Sequence, residues 1–540
     1  MDRLNNANLP PQFSDAELPR PFARPTGLAP TLWWERWAVQ ALFLLALTIP
    51  LWFAAPPPLT DLLGHMARYH LELAIGHDPL LQRNWTFQWY LMGNLGVELL
   101  ILPLAAVFGL EPASWLIAAT IPVLIGSGML RIASTVHGRV PGAVLAALPL
   151  ALAYPYQYGF VNYWLGVGLA FHCFALWPRF GGARRALLFV PLSLLVWLCH
   201  TAAWGILGVL VGGYEIAAAI GTRPIRPLDS MGRIAARVVP LLAPLLPMVA
   251  WRASANGFGA TGFFLLHDKV DFIFDSLRDQ RSRLDLGSVW LVLVLIGGGL
   301  ASRRLRLDPR LAVPALLLLA LFIAMPFQLF GSAYADMRLA PVVLIIAILA
   351  LAPRRAGGWT ERGIATAATV VLALRLVVGA IGFAAYDREF TSHLKALEHI
   401  RPGARIAALV AYPCEQKWRA ERIDHLPALA VVRRGAFVNG HWVNPGTEMM
   451  SPRGAPTGFE TEGSQMVSDP QACPKDLRRL LAARIAQVPR DRFDYVWVLG
   501  FDPVVIPHTA GMVPLYEDSG SVLYAITVPS PNETKKQLSS

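Results

Sequence analysis

Residues 56–72 read PPPLTDLLGHMARYHLE, and they follow the first of a series of apolar runs that extends from Trp37 to Phe383. Each run is close to the ~20 residues that a helix needs to cross a bilayer core. Charged side chains beside a bilayer core are costly and are usually kept for a functional reason. The sequence therefore predicts an integral membrane protein with a cluster of ionisable residues at the outer end of its first span.

The composition is typical of a membrane protein. The chain has 540 residues, of which 55% are hydrophobic and 15% charged, and its mean hydropathy is +0.45. Soluble domains are about 25% charged. Much of the formal charge of +11 lies in short Arg-rich links between apolar runs, which is the pattern of cytoplasmic loops. We therefore expect a lipid bilayer as partner and no nucleic acid, since no basic, aromatic-laced soluble surface is evident.

The apolar runs and the Arg-rich links together predict the topology. With the N-terminus in the cytoplasm, all Arg-rich links become cytoplasmic, provided that residues 85–110 do not cross the membrane as one helix. The polar, Pro-rich residues 1–35 are expected to be a disordered cytoplasmic tail and not a signal peptide. Eleven spans are predicted, approximately at 37–55, 115–131, 140–154, 160–177, 186–199, 203–220, 237–253, 288–302, 311–330, 339–352 and 363–383.

The fold class is therefore an α-helical polytopic membrane protein with a small C-terminal α/β domain outside the cytoplasm. The membrane domain covers residues 36–385 and includes an outer loop at 56–114. Strand-like runs at 405–411, 495–499 and 521–526 place the α/β domain at 386–528, before a disordered tail at 529–540. If that domain folds in an oxidising compartment, Cys414 and Cys473 are expected to form a disulfide, the alternative being two unpaired thiols.

The first outer loop supplies the main site candidate. On a helix that starts near residue 61, Asp61, His65, Arg68 and Glu72 share one stripe, since their spacing is i, i+4, i+7 and i+11. Asp61 could simply cap this helix, and the other three could form a solvated face. The rigid Pro run before Asp61 favours a catalytic carboxylate at the membrane surface, with His65 and Arg68 in contact with substrate.

Further candidates for substrate binding are polar residues predicted on the outer side. Basic residues beside a membrane bind phosphate groups well, and a polar aromatic wall suits a sugar. The plain alternatives are solvated loops, an interfacial aromatic belt and a hydrogen-bonded core histidine. The candidates are His267 and Lys269 in loop 254–287, Asp336 and Arg338 in loop 331–338, Tyr158 and Asn162 in the turn 154–163, and His200 at a helix end.

This layout resembles the GT-C glycosyltransferases, which are multi-pass enzymes that use polyprenyl-phosphate sugars. The resemblance covers most of the chain, from the first-loop acid in Thr60-Asp61-Leu62 to the C-terminal α/β domain. It is strongest to the poorly characterised bacterial branch, which implies an inner-membrane enzyme with a periplasmic C-terminal domain. In the family the first-loop acid is the catalytic base or a metal ligand, and outer basic residues, by position Lys269 and Arg338, bind the lipid phosphate.

The resemblance implies the reaction and its partners. A polyprenyl phosphate leaves the anomeric carbon of a sugar, and a carboxylate takes the proton of the acceptor hydroxyl of a glycan or lipid. Many family members carry a paired Asp-Glu in the first loop, whereas Leu62 follows Asp61 here. The identity of the acceptor and a role for a divalent cation such as Mg²⁺ or Mn²⁺ at Asp61 therefore stay open.

Two other functions fit parts of the sequence. A polysaccharide polymerase or ligase that acts on lipid-linked glycans would use Arg278, Arg281 and Arg283 more than a first-loop acid. A lipid or glycan transporter is disfavoured because no repeat halves and no paired broken spans are evident. The common motifs of ATPases, dinucleotide enzymes, zinc proteases and esterases are absent from the sequence.

Overall fold

The computed structural model describes residues 32–221, 227–254, 260–329, 332–412, 418–419, 422–443, 448–467, 477–502, 506–507, 509 and 511–527. The predicted partners Cys414 and Cys473 lie outside these residues. Within them the chain is mainly helical. The α-helices are α1 Trp37–Ala46, α2 Leu62–Ala74, α3 Pro79–Asn84, α4 Gly96–Phe108, α5 Leu110–His137, α6 Tyr154–Gln157, α7 Val161–Leu176, α8 Gly182–Cys199, α9 Thr201–Ile220, α10 Pro227–Val238, α11 Leu245–Ser254, α12 Leu266–Phe274, α13 Ser282–Ala301, α14 Pro309–Ala324, α15 Ala340–Leu349, α16 Trp359–Leu394, α17 Leu429–Arg434 and α18 Leu477–Ala486.

Short 3₁₀ helices and strands connect and flank these helices. The 3₁₀ helices are Trp33–Glu35, Ile49–Phe53, Gly142–Leu152, Trp177–Arg179, Val239–Leu242, Asp275–Leu277, Lys395–His399, Leu426–Ala428 and Glu462–Ser464. The strands are β1 Trp85–Phe87, β2 Ala260–Thr261, β3 Leu305–Leu307, β4 Gln328–Leu329, β5 Leu351–Pro353, β6 Arg405–Ala411, β7 Phe437–Val438, β8 Met450–Pro452, β9 Met466–Val467, β10 Tyr495–Leu499, β11 Met512–Glu517 and β12 Ser521–Ile526.

Long apolar helices identify the membrane part of the chain. Five helical segments of the described residues are long and apolar enough to cross a bilayer: Leu110–His137, Gly182–Cys199, Thr201–Ile220, Ser282–Ala301 and Trp359–His399. Helices α1, α4, α14 and α15 are also apolar but have only 10–17 residues. The count of eleven spans and their orientation therefore stay predictions.

The segment predicted to span the membrane at 140–154 is not an α-helix. It forms the 3₁₀ helix Gly142–Leu152, in which every residue except Leu152 is buried. Pro149 cannot donate a backbone hydrogen bond, and its ring clashes with the preceding turn of an α-helix. At a rise of about 2 Å per residue, the eleven residues cover roughly 22 Å. Hydropathy alone did not reveal this, because the segment is apolar throughout and shows no periodicity that would separate a 3₁₀ helix from an α-helix.

The predicted non-spanning stretch 85–110 begins with strand β1 and continues into α4. The 13 residues of α4 cover about 20 Å, which is shorter than a bilayer core of about 30 Å. Strand β1 pairs antiparallel with β8, so the loop after α2 is hydrogen-bonded to a segment more than 360 residues later. The Trp85 indole adds a hydrogen bond of 3.1 Å to the Ala436 carbonyl.

A mixed sheet occupies the C-terminal region, by which we mean the described residues between 400 and 527. Its strand order is β11-β12-β10-β6-β7, and β9 also pairs with β6. Strands β10, β7 and β9 run parallel to β6, whereas β12 runs antiparallel to both β10 and β11. Strands β6, β10 and β12 coincide with the three runs predicted from the sequence. The side chains of β10 are all buried, as is expected for a central strand.

A buried ion pair fixes the segment before α15. The Lys269 ammonium on α12 contacts the Asp336 carboxylate, and it donates a hydrogen bond of 2.6 Å to the Met325 carbonyl at the end of α14. Lys269 is 4% exposed and Asp336 is fully buried. The backbone N–H of Met337 donates a second hydrogen bond to Asp336, at 2.9 Å. Together these contacts hold α12, α14 and loop 332–338 in one arrangement.

Replacement of Lys269 by Met should destabilise the protein by about 3–5 kcal/mol, because the buried Asp336 carboxylate loses its counter-charge. The measurement is thermal unfolding in detergent. The variant His267→Ala is the control, since that side chain is 89% exposed and its described ion pairs are with Asp268 and Asp271 of the same helix. The double variant K269M/D336L should be more stable than K269M. Equal melting temperatures for K269M and the parent would show that the pair is not structural.

Candidate active site

One cavity of about 760 Å³ brings together the first loop, the turn 154–163, helix α9, loop 332–338 and the C-terminal region. Its polar wall is rich in ionisable side chains, and the remainder of its wall is apolar. The ionisable residues on the wall are Asp61, His65, His200, Arg338, Glu448 and Glu462. The apolar residues include Trp204, Ile206, Val209, Met248, Leu321 and Met325. The cavity is therefore suited to an amphiphilic ligand.

The backbone of Asp61 is fixed by the turn that contains Tyr158. The Asp61 N–H donates a hydrogen bond of 2.9 Å to the Tyr158 carbonyl, and the Thr60 N–H donates one of 3.3 Å to the Gln157 carbonyl. Gly159 has a positive φ of 97°, and a Cβ on this residue would lie 2.7 Å from the Asp61 nitrogen. The close approach thus requires glycine at position 159.

The side chain of Asp61 is not used as a helix cap. Asp61 occupies the N-cap position of α2, yet its carboxylate accepts no capping hydrogen bond. The residue is 9% exposed, and its Oδ1 lies 3.8 Å from Nε2 of His425. Burial raises the pKa of Asp61 to about 8, although His425 and Arg338 oppose the rise. A buried carboxylate with a pKa near neutrality has the properties of a general base.

His425 comes from the C-terminal region. Among the cations whose contacts with Asp61 the structure describes, His425 lies closest to its carboxylate. Its Nε2 also lies 3.4 Å from Oε1 of Glu462. Its ring packs on Trp442 at 4.4 Å between centroids, and the same indole contacts His65, at 5.0 Å. Burial lowers the pKa of His425, but the neighbouring carboxylates of Glu462 and Asp61 outweigh this effect and raise it to about 9.

Arg338 presents hydrogen-bond donors next to the cavity. Its Nη1 donates to the Ser332 hydroxyl at 2.9 Å, and its guanidinium lies 4.1 Å from the centroid of Phe160. The side chain is 8% exposed, and its Nε has no acceptor among the described residues. A guanidinium carries five N–H donors, and since Arg338 lines the cavity it can donate to an anionic group there.

Four more of the sequence candidates line the same cavity: His65, Tyr158, Asn162 and His200. Two of them also have structural partners. Asn162 accepts a hydrogen bond of 2.6 Å from the Val97 N–H at the start of α4, and His200 accepts one of 3.1 Å from the Ala202 N–H as the N-cap of α9. The side chain of His65 lies between the rings of Tyr69 and Trp442. Contact of these four residues with a substrate stays a prediction.

The other candidates are placed away from the cavity wall. The Arg68 guanidinium forms a buried ion pair with Glu98 and a second, of 2.7 Å, with Glu448. Lys269 and Asp336 form a buried ion pair with each other. His267 points into solvent. From its position, Lys269 was expected to bind the lipid phosphate. In the structure its ammonium is paired with the carboxylate of Asp336.

Sequence reasoning missed His425, Trp442, Glu448 and Glu462. They lie more than 360 residues after Asp61, and each stands alone in its segment without a motif. The one local signal is Asp424-His425-Leu426-Pro427, in which a polar pair precedes a 3₁₀ helix with Pro at its second position. The predicted outward orientation of the C-terminal region is compatible with these contacts but does not select the residues.

The sequence alone leaves a metal site at Asp61 open. In the part of the chain that the structure describes, no three His, Cys, Asp or Glu side chains form a group that could hold a metal ion. Near Asp61, the position opposite the carboxylate is taken by His425, which two carboxylates hold in its cationic form. A cationic imidazole at this position disfavours a divalent cation beside Asp61. A metal role for Asp61 stays a prediction, and no step of the reaction is assigned to a metal ion.

The chain is similar to three solved structures of membrane enzymes. It aligns with the arabinofuranosyltransferase AftD from Mycobacteria at a TM-score of 0.43 and 16% identity, over 91% of this chain and 40% of AftD. It aligns with ArnT from Cupriavidus metallidurans bound to undecaprenyl phosphate at 0.46 and 12%, over 91% and 98% of the two chains. Apo ArnT gives 0.45 and 13%, over 91% and 99%.

The chain spans 40% of the length of AftD. No family model matches the chain, and no curated protein matches it. At TM-scores below 0.5 the likeness is one of general shape, and the chemistry of the site follows from the contacts of its own residues.

Substitution of Gly159 by Ala should destabilise the site. The new Cβ meets backbone atoms of Asp61 and Leu62 at 2.7–2.9 Å, and the positive φ adds strain of about 1–3 kcal/mol. We expect a lower melting temperature in detergent. Gly208→Ala is the matched control, because a Cβ on that residue of α9 meets no atom within 4 Å. If both variants melt with the parent, the close packing of Gly159 on Asp61 is absent in solution.

Proposed function

We propose that this protein is a membrane glycosyltransferase that moves a sugar from a polyprenyl-phosphate donor to an acceptor hydroxyl on the outer side of the membrane, with Asp61 as general base. The observation that carries the proposal is that Asp61 and Arg338 line one cavity whose remaining wall is apolar. The buried carboxylate of Asp61 caps no helix, and Nε of Arg338 has no acceptor among the described residues.

The apolar wall supports a lipid-linked substrate. It is formed largely by α9, α11 and α14, and α9 is long and apolar enough to span a membrane. A polyprenyl chain that lay against Trp204, Ile206 and Leu321 would place its phosphate near the polar wall. ArnT from Cupriavidus metallidurans has undecaprenyl phosphate bound in one of its structures. For this chain we propose a donor of the same class, on the strength of its own apolar wall.

The polar wall supports the chemistry. Transfer breaks the bond between the anomeric carbon and the phosphate oxygen, and negative charge grows on the departing phosphate. Arg338 lines the cavity and can donate hydrogen bonds to that charge from its guanidinium N–H groups. The acceptor hydroxyl attacks the anomeric carbon and gives its proton to the carboxylate of Asp61.

The alternative of a polymerase or ligase receives less support. It relied on the three arginines after α12, and none of them lines the cavity. Arg278 is buried against the Trp418 carbonyl and the ring of Tyr154. Arg281 and Arg283 are exposed. A glycosyl transfer that depends on a carboxylate is therefore the better account of the cavity.

Asp61→Asn should lower the transfer rate by about 10²–10⁴-fold, the typical contribution of a general base. The measurement is release of polyprenyl phosphate from a panel of undecaprenyl-phosphate-linked sugars, with native membranes supplying the acceptor. Asn preserves size, and the parent side chain makes no cap to lose, so the melting temperature should hold. Transfer by the Asn variant at the parent rate would overturn the proposal.

Arg338→Gln should act on donor binding more than on stability. The guanidinium makes one side-chain hydrogen bond, to Ser332, and Gln can replace that bond while removing the charge. We expect weaker binding of undecaprenyl phosphate, measured by tryptophan fluorescence, and a higher KM for the donor. The control is Arg281→Gln, an exposed residue of the same charge away from the cavity. If both substitutions weaken the lipid equally, the effect is general membrane electrostatics and Arg338 does not hold the phosphate.

A further inference from the structure

We propose that His425 of the C-terminal region is a positioning residue for Asp61: held between two carboxylates, it favours the ionised form of the Asp61 carboxylate and aims it into the cavity. The inference rests on the proposed function and names a group, remote in sequence, on which the base depends.

The geometry places one imidazole nitrogen between two carboxylates. Nε2 of His425 lies 3.4 Å from Oε1 of Glu462 and 3.8 Å from Oδ1 of Asp61. His425 is 2% exposed, so solvent screens these interactions weakly. Asp61 is the one of the two carboxylates that takes part in the proposed proton transfer, whereas Glu462 acts on it as a neighbouring anion and through the ring that they share.

The position of the ring is set by tight packing on α2. The indole of Trp442 packs against His425, and a Cβ on Gly64 would lie 2.8 Å from Cη2 of that indole and 3.1 Å from Nδ1 of His425. The absence of a side chain at Gly64 thus allows both rings to approach the first turn of α2. His425 also marks the start of the 3₁₀ helix Leu426–Ala428, whose Pro427 restricts the backbone beside it.

Among the described residues, the ionisable groups that face the pair can be assigned a sign. Asp61 is faced by the cations His425 and Arg338 and by the anions Glu462 and Asp424. His425 is faced by the carboxylates of Asp61, Glu462 and Asp424. The neutral imidazoles of His65 and His441 and the phenols of Tyr158 and Tyr334 also face the two residues.

These surroundings make the pH dependence a two-limbed curve. A base works only when it is deprotonated, so the rate should rise as pH passes through the pKa of Asp61, which burial raises to about 8. The rate should fall when His425 loses its proton, because the cation that holds the Asp61 carboxylate in position is then lost. Since the two groups interact closely, each limb reports the pair and not one residue.

His425→Gln removes the cation and should move the acid limb to higher pH by about 1–3 units, the range that an opposite charge at this distance produces. Below the limb the rate then falls about tenfold per unit, and it recovers in part at higher pH. The alkaline limb should disappear. KM for the donor should stay near that of the parent, because His425 does not itself hold the lipid phosphate.

Glu462→Gln removes an anion from the same cluster and should have the opposite effect. Both protonation steps of the Asp61–His425 pair become weaker, so both limbs move to lower pH. A general loss of structure cannot shift the curve in opposite directions for two neighbouring substitutions. The Glu462 side chain is also 27% exposed, so E462Q tests the inference even if H425Q fails to fold.

The matched control is His393→Gln. His393 is a buried histidine paired with a carboxylate, with Nδ1 2.8 Å from Oδ2 of Asp518, and it lies away from the cavity. The substitution should lower the melting temperature and leave both limbs of the pH curve unchanged. A shift of the acid limb in H393Q as large as that in H425Q would show that loss of stability, and not loss of the local charge, moves the curve.

A readout without turnover separates this inference from the proposed function. Infrared difference spectra recorded against pH should show a carboxyl C=O band that is absent in Asp61→Asn, and its midpoint should move to higher pH in His425→Gln. If D61N transfers sugar as fast as the parent, the proposed function fails. If D61N is impaired but H425Q leaves both the acid limb and the infrared midpoint in place, only the role of His425 is overturned.

Discussion

The hydrogen bond from the Asp61 N–H to the Tyr158 carbonyl, 2.9 Å long, is the contact on which the geometry of the site depends. It joins the loop that enters α2 to the turn before α7, and the glycine at position 159 permits the approach. The carboxylate of Asp61 accepts no capping hydrogen bond from α2. The side chain is therefore free to face the cavity.

A second set of contacts holds the Pro run that precedes Asp61. Nη1 of Arg422 donates a hydrogen bond of 2.6 Å to the Pro58 carbonyl, and Nη2 donates one of 2.9 Å to Asp279. Arg422 is 1% exposed, so this guanidinium is a structural link between the Pro run, the segment after α12 and the C-terminal region. A charge buried with good partners costs little, whereas its removal would leave Asp279 uncompensated.

The sequence could predict the features that depend on local pattern. The stripe on α2 follows from helical spacing, and strands β6, β10 and β12 follow from short runs of apolar, β-branched and aromatic residues. It could not predict the 3₁₀ helix Gly142–Leu152, because hydropathy does not distinguish it from an α-helix. Nor could it predict that Lys269 pairs with Asp336, since the two residues lie 67 positions apart and no local pattern relates them. The candidate site shows the same division: a Pro run and an apolar run directly before Asp61 select it, whereas only the fold carries His425, Glu462 and Trp442 to α2.

The stripe on α2 has two roles that its spacing does not distinguish. At the first turn Asp61 and His65 face the cavity, whereas two turns later Arg68 is committed to Glu98 and Glu448. Glu448 itself lines the cavity, so the ion pair with Arg68 connects the buried side of α2 to the polar wall. Because α2 carries the base Asp61 beside Arg68, which anchors Glu448, the helix keeps the separation of these two residues constant. The distance between Asp61 and the C-terminal carboxylates is then set by rigid elements, which is the condition under which a fixed charge can act on a developing one without reorganisation.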